Sequence, residues 1–183
     1  MSNDAGFINL EENIKSTIYE GLLKLGYQNN ESFSIYYDLD LLNHLLLSSF
    51  DSNETCLNYL QEFKTFAEQD LLDIEISLER NRFKFSVNKD GIESIYKHEN
   101  NPFLNDLIQT VNTHSFHLED ILAIFKRYSD EYICEEIDND EFQYVLYFKD
   151  NKMDKFKYCF TFDEMGGYYH RLLDFSFNKI LNE

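Results

Sequence analysis

The feature that most constrains this chain is a change of hydrophobic period partway along it. Apolar residues first recur every three or four positions, the spacing of one helical face, and near residue 74 they begin to recur every second position, the spacing of a half-buried strand. One chain carrying long stretches of both periods reads as α+β, with sheets built from hairpins.

Leu10, Ile14, Ile18, Leu22 and Leu25 give the first helix its apolar face. Asn9 with Glu12 three positions on resembles a capping box, and Gly26-Tyr27 supplies a stop. The β-branched and aromatic run Phe33–Tyr37 reads as extended, and Asp38 then caps a short helix carrying Leu41, Leu42, Leu45 and Leu46. A third helix is expected from Asp51, with Glu54 in its first turn and Leu57, Leu60, Phe63, Phe66 and Ala67 along it.

Ile74, Ile76 and Leu78, then Phe83, Phe85 and Val87, alternate on either side of Arg80-Asn81 and predict a hairpin. Asp90 and Glu93 resemble the start of another helix, Pro102 that of the next, and residues 118 to 129 form a further one. The last third alternates repeatedly. Phe142, Tyr144, Leu146 and Phe148 are assigned to one strand face, as are Phe156, Tyr158, Phe160 and Phe162. With turn-like Asn139-Asp140, Asp150-Asn151 and Met165-Gly166-Gly167 between runs, the expectation is a four-stranded antiparallel meander closed by a helix from about Asp174. No linker or repeat divides the chain, so residues 1–183 are read as one α+β domain, with 113–116 as the alternative place for a boundary.

Charge narrows the functional classes. The chain has 16 Lys and Arg against 34 Asp and Glu, a formal net charge of −18. Residues 1–70 carry −9, residues 71–130 carry −3 and residues 131–183 carry −6. Such a surface repels nucleic acid, whose binding depends on Lys and Arg displacing counterions, and the dense basic cluster Arg80, Arg82 and Lys84 reads as a solvated hairpin face. Three cysteines, an odd number without a CxxC pair, argue against a disulfide framework. The start MSNDAGFINLEEN has neither the basic nor the apolar segment of a signal peptide, and no apolar run approaches a membrane span. A reducing cytoplasm is the expected location, with no membrane and no nucleic acid among the partners.

Asp51, Asn53, Thr55 and Glu62 match ligand positions of a calcium loop, but Cys56 stands where Gly makes the sharp turn, and the segment reads as a capped helix. Glu135, Glu136, Asp138, Asp140 and Glu141 straddle a turn, where carboxylates keep an edge soluble. His114 and His117 lack a second ligand pair, and Cys134, Cys159 and His170 fall on different strands, Cys159 facing away from Tyr158 and Phe160. There is no GxSxG elbow and no phosphate-cradling loop. No cofactor and no metal are expected.

The densest polar and aromatic motif is GGYYHR, Gly166 to Arg171. Alternation sets Tyr168, His170 and Leu172 on one strand face and Tyr169, Arg171 and Leu173 on the other. Tyr158, His170 and Arg171 are therefore the candidate binding residues. As a site they would contact an anion or a peptide; as structure, Arg171 pairs with a nearby carboxylate and His170 packs among aromatics, the reading that strand residues favour.

The strings FSIYYDLDLLNHLLL, ILAIFKRYS and YCFTFDEMGGYYHRLLDFSF together resemble an uncharacterised bacterial family, domain of unknown function 3877, over nearly the whole chain. Proline commonly follows the Tyr-Tyr pair in that family, whereas this chain has Asp38, which is also a good helix cap. The resemblance implies a bacterial cytoplasmic protein and transfers no catalytic residue. The sequence leads to a non-catalytic acidic interaction protein with a basic protein partner, and it leaves the oligomeric state open. The alternative is a small-molecule binder or enzyme with a pocket near the C-terminal sheet.

Overall fold

The computed structural model describes residues 4–26, 32–113, 115–137, 139–164 and 166–182. Tyr27 of the first helix stop, His114 of the histidine pair, Asp138 of the acidic run and Met165 of the last turn lie outside the described residues. The fold is α+β, with a three-stranded antiparallel sheet, a four-stranded antiparallel meander and a C-terminal helix. The chain divides into two compact units, residues 1–100 and 101–183, so residues 113–116 lie within the second.

The first unit contains α1 (Asp4–Leu25), β1 (Ser32–Tyr37), α2 (Leu39–Leu45), α3 (Asn53–Leu71), β2 (Ile74–Glu79), β3 (Arg82–Asn88) and α4 (Lys89–His98). Its sheet runs β1-β3-β2, the expected hairpin joined by the Phe33–Tyr37 strand on its far side. Leu10, Ile14, Ile18 and Leu22 are buried along one face of α1, as their spacing dictates, against a core shared with Phe63, Phe83 and Phe85. At Gly91 an added Cβ would lie 2.6 Å from the Leu71 carbonyl oxygen, so only a residue without a side chain lets α4 begin this close to the end of α3.

Several helix starts differ from the sequence reading. Helix α1 already runs at Asp4, which puts Asn9 inside it, where its side chain donates to Leu45 O (3.4 Å) instead of capping. Ser52 rather than Asp51 caps α3, and Asn88, two residues before Asp90, caps α4 by accepting from Gly91 N (3.0 Å). For α3 and α4 a second good cap residue lies within two positions of the expected one, and cap propensity does not rank neighbours. Asp38 caps α2 as expected, accepting from Leu41 N at 2.8 Å, and Gly26 ends α1 with φ 73.

The second unit contains α5 (Pro102–Val111), α6 (Leu118–Tyr128), β4 (Tyr132–Glu136), β5 (Tyr144–Phe148), β6 (Phe156–Asp163), β7 (Gly166–Leu173) and α7 (Asp174–Leu181). The sheet order β4-β5-β6-β7 is the expected meander. One face carries Phe148, Tyr158 and Phe160. Phe103 of α5 and Phe125 of α6 meet it edge-on, with the Phe103 ring 4.8 Å from Phe148 and 5.4 Å from Tyr158. The opposite face packs Val145 and Cys159 against Phe177 of α7.

Phe142 breaks the predicted alternation. It joins the Val145, Cys159 and Phe177 cluster, on the face opposite Tyr144 and Leu146. Gln143 N donates to Phe160 O (2.9 Å), yet Phe160 is also the register partner of Tyr144, so two residues of one strand oppose one of the next. Such a bulge turns the preceding side chain to the other face. The Gln143 side chain fixes it, accepting from Phe162 N (2.9 Å) and donating to Phe162 O (3.2 Å).

Candidate functional site

Tyr158 and Arg171, nominated from sequence, are register partners on β6 and β7 and meet on the face covered by α5 and α6. Their organiser is Asp154, just before β6, which the sequence reading did not single out. One Asp154 oxygen accepts from Phe156 N (2.8 Å), an Asx-type turn that starts the strand. The other accepts from the Tyr158 hydroxyl (2.9 Å) and from the Asn101 side-chain amide (3.5 Å), and it lies 3.8 Å from the Arg171 guanidinium. Arg171 Nε donates to the Tyr158 oxygen (3.1 Å), and the guanidinium plane sits 3.6 Å from the Phe156 ring centroid.

The Arg171 and Asp154 side chains are 3% and 2% exposed, so the ion pair is almost dry. Burial drives the Tyr158 phenol well above its ordinary value; Arg171 opposes the shift and Asp154 adds to it. The hydroxyl thus remains a donor to Asp154 and an acceptor from Arg171 across the physiological range. Among the described residues every buried side-chain nitrogen or oxygen has a hydrogen-bond partner. The arrangement is charge-balanced and turned inward, with Asn101 tying the start of α5 to the sheet through Asp154.

His170 lies on the other face, exposed, its ring 5.4 Å from Phe142 and 6.2 Å from Tyr168. The structure therefore brings together two of the three nominated residues and separates the third. Cys159 is the register partner of His170, but its burial pushes the thiol up to about 12 and keeps it protonated at neutral pH. A cleft of about 140 Å³ beside the β6–β7 turn is lined by Phe116, His117, Phe162, Asp163 and Gly166.

Outside the nominated residues, the first unit gathers charge around Lys15. Its ammonium pairs with Glu11 one turn away and with Asp70 of α3 (2.7 Å), beside a cleft of about 360 Å³ that Ser94, His98 and Glu99 also line. Burial, first of all, raises the Glu11 carboxyl, whereas hydrogen bonds from Lys15 and Glu11 lower that of Asp70. His98 Nδ1 is 2.8 Å from Ser94 O, a contact that requires the proton on Nδ1. Position gives no sign of this cluster in the sequence, because Glu11 lies on a polar-looking stretch and Asp70 is 59 residues away. In the basic hairpin Lys84 pairs with Glu79 (3.0 Å) and Arg82 donates to Tyr36 O (3.1 Å).

The acidic run is displayed rather than gathered. Glu135 and Glu136 are exposed neighbours on β4, hence on opposite faces, and Asp140 and Glu141 are exposed in the following loop. Among the described residues no three His, Cys, Asp or Glu side chains converge as a metal site would require, and no helix is long and apolar enough to cross a membrane.

An antiparallel meander layered between helices, with its buried ion pair internally matched, defines the second unit of an α+β protein. The chain belongs to the family described as "Domain of unknown function, E. rectale Gene description (DUF3877)", whose model matches residues 7–181. No curated protein and no solved structure matches it.

Proposed function

We propose that this chain is a non-catalytic cytoplasmic interaction protein whose acidic surface receives a basic protein partner. One observation carries the reading: several of the cations are paired with carboxylates of the chain itself, while many other carboxylates face solvent. Arg171 is committed to Asp154 and Tyr158, Lys15 to Glu11 and Asp70, Lys84 to Glu79, Arg127 to Asp106 and Lys157 to Asp174. The excess behind the net charge of −18 is then surface carboxylate, which steers positively charged partners and repels acidic ones.

The test is affinity capture from the protein's own cells at low ionic strength, followed by a salt gradient. A basic protein held at low salt and released before about 1 M salt, where screening acts within about 3 Å, is the expected result. Recovery of no basic partner at low ionic strength would remove the proposal.

A further inference from the structure

Strand β4 is one of the two edge strands of the second sheet, and its hydrogen-bonding parity is fixed at both ends. Lys149 N donates to Glu131 O (3.0 Å) and Ile137 N donates to Gln143 O (2.9 Å). The register pairs Ile133 with Tyr147 and Glu135 with Val145, so the odd-numbered residues of β4 exchange ladder bonds with β5. The N–H and C=O groups of Tyr132, Cys134 and Glu136 consequently point the other way, along the open edge. No backbone hydrogen bond from another described residue reaches them.

Open edges invite pairing with any extended chain, and folded proteins blunt them with short strands, charged side chains (Lys above all), Pro, bulges or a covering segment. The β4 sequence YICEE has no Lys and no Pro, and the bulge of this sheet lies on the inner strand at Gln143. What β4 offers instead is negative charge. Glu131, Glu135 and Glu136 are exposed, and the two strand carboxylates project from opposite faces of the sheet. A parallel, in-register second copy of β4 would bring carboxylates against carboxylates, and like charges across a strand pair are destabilising; an antiparallel copy would set Glu135 against Ile133 and Glu136 against Tyr132, leaving the carboxylates without a cationic partner. A strand with Lys or Arg at those positions makes the same backbone bonds with the charge term reversed in sign.

We propose that β4 is a docking edge for an extended, Lys/Arg-bearing segment of a partner protein, which adds to the meander as a fifth strand. The inference rests on the acidic-partner reading and deepens it. Main-chain bonds to Tyr132, Cys134 and Glu136 supply affinity, while Glu135 and Glu136 select a basic strand.

The experiment uses the full chain and a capped Val/Thr peptide of about six residues, a common strand length, with adjacent central lysines. Anisotropy measures its binding, and amide hydrogen exchange locates it. The expected result is saturable binding that slows exchange at Tyr132, Cys134 and Glu136. N-methylation of the alternate peptide residues that face β4 weakens binding about tenfold or more, because it deletes donors without altering the protein. The surface variant E135K/E136K also loses about tenfold or more. Equal binding of plain and N-methylated peptides, or protection elsewhere, overturns the edge assignment and leaves the acidic-partner reading standing. If the chain retains neither the peptide nor polylysine at low ionic strength, the acidic-partner reading falls with it.

Discussion

Asp154 is a single carboxylate that several groups of the second unit depend on. It starts β6, holds the Tyr158 hydroxyl and balances a guanidinium that is almost wholly out of water. Its removal takes a carboxylate away from a buried guanidinium and a buried phenol, and breaking a buried pair from one side costs about 3–5 kcal/mol. Asp154→Ala is expected to lower stability by about that amount in urea unfolding. A change below about 1 kcal/mol, the scale of an exposed pair, would contradict this account. Glu11 poses the opposite electrostatic case. Its carboxyl titrates above the ordinary carboxylate value in the folded chain, with burial the largest cause, so folding favours the protonated form. Its contribution is therefore fully present below the unfolded value and is lost as pH rises through the raised folded value. Glu11→Gln fixes the neutral form, so the stability of the variant relative to the parent should climb as pH passes upward through that window. A pH-independent difference between the two unfolding curves would refute the assignment. Of these residues the sequence exposed Tyr158 and Arg171, because alternation places them on known faces. Asp154 and Glu11 act through burial and partners distant in the chain, which periodicity does not register.

At the scale of elements, local chemistry was the legible part. Asp38, Pro102 and the alternating runs announced a cap, a helix start and strands that the structure contains. The bulge at Gln143 was not legible, because an extra residue in a ladder depends on which strand lies opposite, and its effect was to send Phe142 to the face the pattern denied it. The β2–β3 connection is a two-residue turn in which Arg80 (φ 48) and Asn81 (φ 65) both adopt left-handed backbone. That geometry fits the right-handed twist of a hairpin but suits Asn-Gly far better than Arg-Asn. Replacing the pair with Asn-Gly should stabilise the first unit by about 1 kcal/mol, the order of the cost of a left-handed residue. Thermal unfolding reads the change, and a lower midpoint would show that the side chains removed, including Asn81, whose Oδ1 accepts from Asn53 Nδ2 at 2.6 Å, matter more than the backbone strain.

For the whole molecule, composition and period together conveyed the α+β class and the meander, while which strand joins the first hairpin is a matter of long-range pairing. The sheets of the two units differ in how much chain each must gather. In the meander, neighbouring strands are joined through short connections, as where Asp163 faces Gly166 or Glu136 faces Tyr144. In the first sheet Tyr37 faces Phe83, with α2, α3 and β2 strung between them. Loop-closure entropy rises with the logarithm of the enclosed length, so this one pairing carries a cost about 1 kcal/mol above that of any turn in the meander. The contacts at the closing point are correspondingly specific: Tyr37 is buried, meets Phe85 edge-on at 5.2 Å and donates its hydroxyl to Asn13 of α1 (2.8 Å). The clasp that holds β1 to its sheet thus offsets a purely entropic debt set by chain order, which the short-range meander never incurs.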